Sequence, residues 1–133
     1  PGAVKLVKEL QSHGVKTALV SASPRNIVEA VLDNIGHDLF PFSISSDDVT
    51  KTKPDPEGYL KAAAISDSDI SNCLIFEDSL TGMSAAIASG AYLIAVPHLV
   101  TKEESSRVRV IKTLEQLSFE KLNQLHSDFS SKI

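Results

Sequence analysis

The chain has 133 residues, 42% hydrophobic and 23% charged, with a formal net charge of −4. That is enough for one domain with a single core and little to spare. No basic stripe suits a nucleic acid, no apolar run reaches membrane-spanning length and no N-terminal stretch resembles a signal peptide, so the reading is a cytoplasmic protein with neither a nucleic-acid nor a membrane partner.

In chain order, short apolar strands alternate with amphipathic helices. "AVKLVKELQSHG" places Val4, Leu6, Val7 and Leu10 on one helical face, and Gly14 marks its stop. "VKTALVSAS" is a short strand around Ala18, Leu19 and Val20. "SPRNIVEAVLDNIG" opens a second helix with Ser23 as N-cap and Pro24 at the first helical position. The apolar stripe of that helix is Ile27, Val28, Val31, Leu32 and Ile35. "FPFSISSDDV" is a weak strand or extended segment, with Asp47 and Asp48 in a loop. "DPEGYLKAAAI" begins a helix with Asp55 as cap and Pro56 just inside. "NCLIFED" is a buried strand that includes Cys73, read as a small core residue because a lone cysteine has no internal disulfide partner. "SLTGMSAAIASG" is a helix and "AYLIAVP" a second buried strand. "RVRVI" reads as a short strand, and "SFEKLNQLHSDF" as a helix with Phe119, Leu122 and Leu125 on one side. The final "SSKI" is expected to fray. The pattern contains no repeats and no low-complexity segment. It predicts an α/β fold: a parallel sheet covered on both faces by helices.

Open parallel sheets bind ligands beyond the carboxyl ends of their strands. After "TALV" stand Ser21, Ala22 and Ser23, entering a helix. After the third segment stands Lys53, in "TKTKPDP". After "CLIF" stand Glu77, Asp78 and Ser79, again entering a helix. A hydroxyl, helix-start amides and an ammonium suit phosphate oxygens. Adjacent carboxylates suit a hard divalent ion, most plainly Mg²⁺, because two negative charges at a strand end need a cation or a helix dipole to offset them.

Taken singly, each residue has a plainer reading. Ser21 or Ser23 is a helix cap, Lys53 a solvated loop lysine, Asp78 or Ser79 a cap, and Gly82 a close-packing residue. His13, His37, His98 and His126 show no metal-ligand spacing and read as surface residues. The set in chain order outweighs the separate readings.

These motifs resemble the haloacid-dehalogenase-like (HAD) hydrolase superfamily, in its β-phosphoglucomutase-like phosphatase branch. "LVSAS" is similar to the family's second motif, "KPDPEGYL" to its third and "IFEDSLTGMSAA" to its fourth. "PGAVKLVKELQSHG" resembles the segment returning from the cap domain. The resemblance covers nearly the whole chain. It implies a Rossmann-like three-layer core and a Mg²⁺-dependent phosphohydrolase acting on a small phosphorylated metabolite through an aspartyl-phosphate intermediate. It further implies that Ser21 and the backbone at Ala22 bind the phosphoryl group and that Lys53 bridges phosphate and nucleophile. Asp78 would hold Mg²⁺, with Glu77 as a second ligand or a water-mediated support.

One part of the family pattern does not occur. The nucleophile belongs to an N-terminal D-x-D-G-[TV] motif, and Asp33, Asp38, Asp47 and Asp48 all lack its context. The resemblance places the missing strand between the "TALV" and "CLIF" strands. Such a strand of about five residues, burying three side chains at roughly 1.5–3 kcal/mol each, is comparable with a domain's whole margin of about 5–15 kcal/mol. Residues 1–133 are therefore expected to be a partial core domain that lacks its central N-terminal strand and its cap and folds poorly alone. The missing part would come from a second polypeptide or from an N-terminal region of the same one.

Two other readings have to be weighed. A receiver domain also combines carboxylates, a hydroxyl residue, a lysine and Mg²⁺, but its acidic pair comes first in the chain, whereas here it comes last. A non-catalytic module that binds phosphate and Mg²⁺, or serves assembly, would keep the scaffold without turnover. Substrate identity, and the choice between phosphatase and mutase, rest on the absent cap.

Overall fold

A computed structural model describes residues 2–96 and 104–131, the last six by their backbone. His98, most of "HLVTKEESSRV", the final residues of "SSKI" and the side chain of His126 lie outside the described residues. The helices are α1 (Ala3–Ser12), α2 (Arg25–Ile35), α3 (Glu57–Ile65), α4 (Leu80–Ser89) and α5 (Phe119–Ser131). The strands are β1 (Leu19–Val20), β2 (Ser43–Ile44), β3 (Leu74–Glu77), β4 (Tyr92–Ala95) and β5 (Val108–Val110). All strand pairs are parallel, as the alternation predicts. They fall into two separate sheets, β1-β2 and β3-β4-β5.

The larger sheet is a three-layer sandwich set by the two-residue period of a strand. On one face, Ile75, Leu93, Ala95 and Val108 pack with Tyr59 of α3 and with Met83, Ala85 and Ala86 of α4. On the other, Ile94 packs with Leu6 and Leu10 of α1 and Leu122 of α5, joined by Leu74 and Phe76. β4, in the middle, is buried along its whole length. Small residues, Gly82, Ala85, Ala86 and Ser89, dominate the buried face of α4 beside Met83, so this helix lies close to the sheet. Cys73 is half-buried against the same core, and its thiol donates to Asp69 O.

The smaller sheet is thinner than the sequence suggests. Of the five-residue stripe on α2, Val28 and Leu32 are buried, but Ile27 and Val31 are 47% and 45% exposed. Strands of two residues offer too narrow a surface to cover that wider stripe. The start of α2 also differs from expectation. Its first helical residue is Arg25, preceded by Pro24, and Ser23 is not the cap. Asp47 Oδ2 instead accepts from Arg25 N at 2.8 Å. Likewise α3 begins at Glu57, with Pro56 rather than Asp55 at the cap position, one residue later than expected, although Asp55 Oδ1 still accepts from Glu57 N at 3.0 Å. His13 and His37 are exposed, as read. His13 stacks on Phe119 with centroids 3.9 Å apart, and His37 meets Asp33 at 2.6 Å.

Asp47 and Asp48 do more than fill a loop. They lie in a single 3₁₀ turn, Ser46–Asp48, closed by a reciprocal capping box between Ser45 and Asp48. Asp48 Oδ2 also pairs with the Arg25 guanidinium, which reaches Ser43 O at 3.0 Å. This network ties α2 to the end of β2. Backbone and hydroxyl donors of Ser45, reinforced by Arg25, hold the Asp48 carboxyl down at about 2, against an ordinary 3.8. A group depressed in the folded state stabilises above its unfolded value, and that contribution fades as pH falls through the folded one. Asp48→Asn is therefore expected to lower the melting temperature at pH 7, with the gap to the parent closing as pH drops from about 4 towards 2. A gap that stays constant over that range contradicts the assignment.

Candidate active site

Glu77 is the last residue of β3 and lies two residues beyond Ile75, so it points to the same face, towards α3 and α4. Its carboxylate enters the protein rather than solvent, and its side chain is 8% exposed. Three features accommodate the buried charge. Lys53 Nζ donates to Glu77 Oε2 at 2.5 Å. The Tyr59 hydroxyl donates to the same oxygen. Gly82, in the first turn of α4, leaves the space, since a Cβ there would fall 2.1 Å from the carboxylate carbon.

The lysine is equally constrained. Its side chain is 13% exposed, and it donates a second bond to Val20 O, 3.0 Å away at the end of β1. The ammonium lies 4.9 Å from the centre of the Tyr59 ring, within cation–π range. Burial, and then the neighbouring Glu77 charge, push the Tyr59 hydroxyl far above its usual range. It therefore remains a protonated donor at any working pH.

Ser21 follows β1 directly. Its backbone N–H donates to Ile44 O at 2.9 Å, and its Oγ accepts from Ser23 N at 3.1 Å. Ser21, Ser45, Thr52, Lys53 and Tyr59 share one crevice at the carboxyl ends of β1 and β2. Ala22 is exposed beside it. Asp78 is exposed just past β3, and its charge bears on Tyr59. The structure thus gathers Ser21 and Lys53 at one opening and draws Glu77 beneath it. Asp78 stays on the solvent side.

The adjacent carboxylates are therefore not equivalent. Asp78 offers the hard oxygen donors that Mg²⁺ prefers, whereas Glu77 Oε2 already accepts from Lys53 and Tyr59. Among the described residues no three His, Cys, Asp or Glu side chains converge on a metal-sized point. Of the two carboxylates, the exposed Asp78 is the one of the oxygen-donor type that a hard divalent ion takes, and a full coordination sphere would need further oxygens beside it.

Tyr59 was not singled out from sequence, and Gly82 was read as a close-packing residue rather than as the space for the Glu77 carboxylate. The available signal was Glu77 itself, because a carboxylate continuing a buried face requires donors, and a buried tyrosine requires a partner for its hydroxyl.

Comparison with known proteins gives the family. The model for haloacid dehalogenase-like hydrolases matches residues 1–90. The chain belongs to the haloacid dehalogenase-like hydrolase family. It is 38% identical over 125 residues to a bifunctional riboflavin kinase/FMN phosphatase of Arabidopsis thaliana, covering 91% of this chain and 33% of that protein. Among solved structures, CbbY from Rhodobacter sphaeroides in complex with phosphate superposes with a TM-score of 0.81 at 27% identity, over 92% of this chain and 58% of that one. β-Phosphoglucomutase from Clostridium difficile shares the fold, with a TM-score of 0.82 at 24% identity, over 98% and 56% of the two chains. The chain thus spans a third of the curated relative's length and under three-fifths of each solved structure. No helix among the described residues is long and apolar enough to cross a membrane.

Two outcomes test the buried pair. Removing one partner of a buried ion pair strands the other charge, typically at about 3–5 kcal/mol. Lys53→Met is thus expected to shift the urea midpoint downward by that equivalent with an unchanged slope; a shift below about 1 kcal/mol excludes the burial described. Gly82→Ala is expected to destabilise by on the order of 3 kcal/mol. Its effect should shrink sharply in a Glu77→Ala background, and an equal effect in both backgrounds would show that the carboxylate is not what Gly82 makes room for.

Proposed function

We propose that residues 1–133 form part of the core of a Mg²⁺-dependent phosphatase acting on a small phosphorylated metabolite. The observation that carries this reading is the crevice where the Ser21 hydroxyl and the Lys53 ammonium meet at the strand ends, with Asp78 on its solvent side. Two of the three Lys53 donors are engaged by Val20 O and Glu77. The third serves a phosphoryl oxygen. Ser21 Oγ accepts from Ser23 N and keeps its own proton to donate to a second oxygen. That CbbY, which shares this fold, was solved in complex with phosphate supports an anionic ligand.

Mg²⁺, held by Asp78 with oxygens from outside this chain, would supply charge neutralisation at the phosphoryl group. Ser21, the Ala22 backbone and Lys53 orient that group for in-line attack by an aspartate outside residues 1–133, giving an aspartyl-phosphate and the leaving alcohol; water then releases phosphate. Among the described residues β1 and β3 lie in separate sheets, and in this reading a further strand bearing that aspartate joins them.

The test is Asp78→Ala in the natural-length protein. The parent is expected to hydrolyse a simple phosphate monoester only with Mg²⁺ present, and to gain melting temperature on Mg²⁺ addition. The variant should lose both properties. Retention of either by the variant overturns the metal assignment, and a parent that binds Mg²⁺ and phosphate without turnover overturns the enzyme reading.

A further inference from the structure

We infer that Tyr59 is a positioning residue for the anion site, acting through Glu77 to aim the Lys53 ammonium; this rests on the phosphate-binding reading above. The Tyr59 hydroxyl and the Lys53 ammonium donate to one and the same oxygen, Glu77 Oε2. That oxygen fixes where the lysine ends, because the other anchor, Val20 O, is a carbonyl held in place by its strand. A carboxylate bound by lysine alone can rotate about its side-chain torsions and carry the ammonium with it. Bound also by Tyr59, and boxed in at Gly82, it has one place to sit.

The surroundings are suited to this function. Tyr59 is 7% exposed, so its hydroxyl bond does not compete with bulk water. It belongs to α3, which touches β1, β2 and α4, so the donor is referenced to both sheets. The shared oxygen also has a charge effect. A hydroxyl bond draws off part of the Glu77 charge that would otherwise hold the ammonium wholly inward. Lys53 is then free to share its charge with an incoming phosphate. The ring supplies packing and the cation–π contact, while the hydroxyl supplies the aim, and Phe separates the two.

The experiment measures inorganic phosphate binding by calorimetry in the natural-length protein, comparing the parent with Tyr59→Phe, Glu77→Gln, their double variant and Ser21→Ala, each checked for an intact melting transition. Tyr59→Phe is expected to weaken phosphate about tenfold, as loss of a bond to a charged group does. In the Glu77→Gln background the same change should add less than twofold, because the hydroxyl acts only through that carboxylate. A purely structural tyrosine would instead give additive losses, and that result overturns the inference. So does a Tyr59→Phe protein within twofold of the parent while Ser21→Ala weakens binding; the site reading then stands and the positioning role falls. If the parent binds no phosphate, or Ser21→Ala binds it unchanged, the site reading fails and this inference fails with it.

Discussion

A carboxylate buried at the end of β3 is the constraint from which the rest of this structure follows. Ionised Glu77 cannot sit beside Tyr59 and the core without donors, since stranding a buried charge costs about 3–5 kcal/mol, a large share of a small domain's margin. Meeting that requirement recruits a lysine from the segment after β2, a tyrosine from α3 and the absence of a side chain at Gly82. Each brings its element with it. The small-residue face of α4, the placement of α3 across both sheets and the path of the loop carrying Lys53 all answer to one acidic side chain.

The same requirement divides labour between neighbouring acids. Successive residues at a strand end face opposite ways, so Glu77 turns inward to organise the lysine and Asp78 remains outside. A single motif thereby sends one carboxylate inward as a brace and leaves the other at the surface, and both placements depend on where β3 ends.

Much of this was legible in the sequence, for identifiable reasons. Short continuous apolar runs at Leu74–Phe76 and Tyr92–Ala95, too brief for buried helices and set between helical patterns, read as strands covered on both faces, and the hydroxyl, lysine and acidic residues follow strands in an order with few alternatives. Helix starts were legible to within a residue, as at Asp55. The inward turn of Glu77 was available too, since Ile75 is core and the strand period is two, but reading "ED" as one unit concealed it. Ile27 and Val31 could not have been resolved, because whether a helix stripe is covered depends on the width of the sheet beneath it. The bond between Asp47 and the start of α2 joins segments about 20 residues apart, and no local pattern encodes that pairing. The capping box of Ser45 and Asp48, in contrast, was written in four consecutive residues.

Lys53 reaches the last carbonyl of β1 and the last side chain of β3 at once, although among the described residues no backbone ladder joins those two sheets. The ammonium is therefore a cross-tie between two halves of the molecule. High salt barely loosens such a tie, because screening acts on exposed charges and hardly on buried ones. An anion of the kind proposed for the crevice would hold it in place. Occupancy of the crevice and the stiffness of the joint between the sheets would then become one property, in keeping with the general rule that whatever binds the folded state stabilises it.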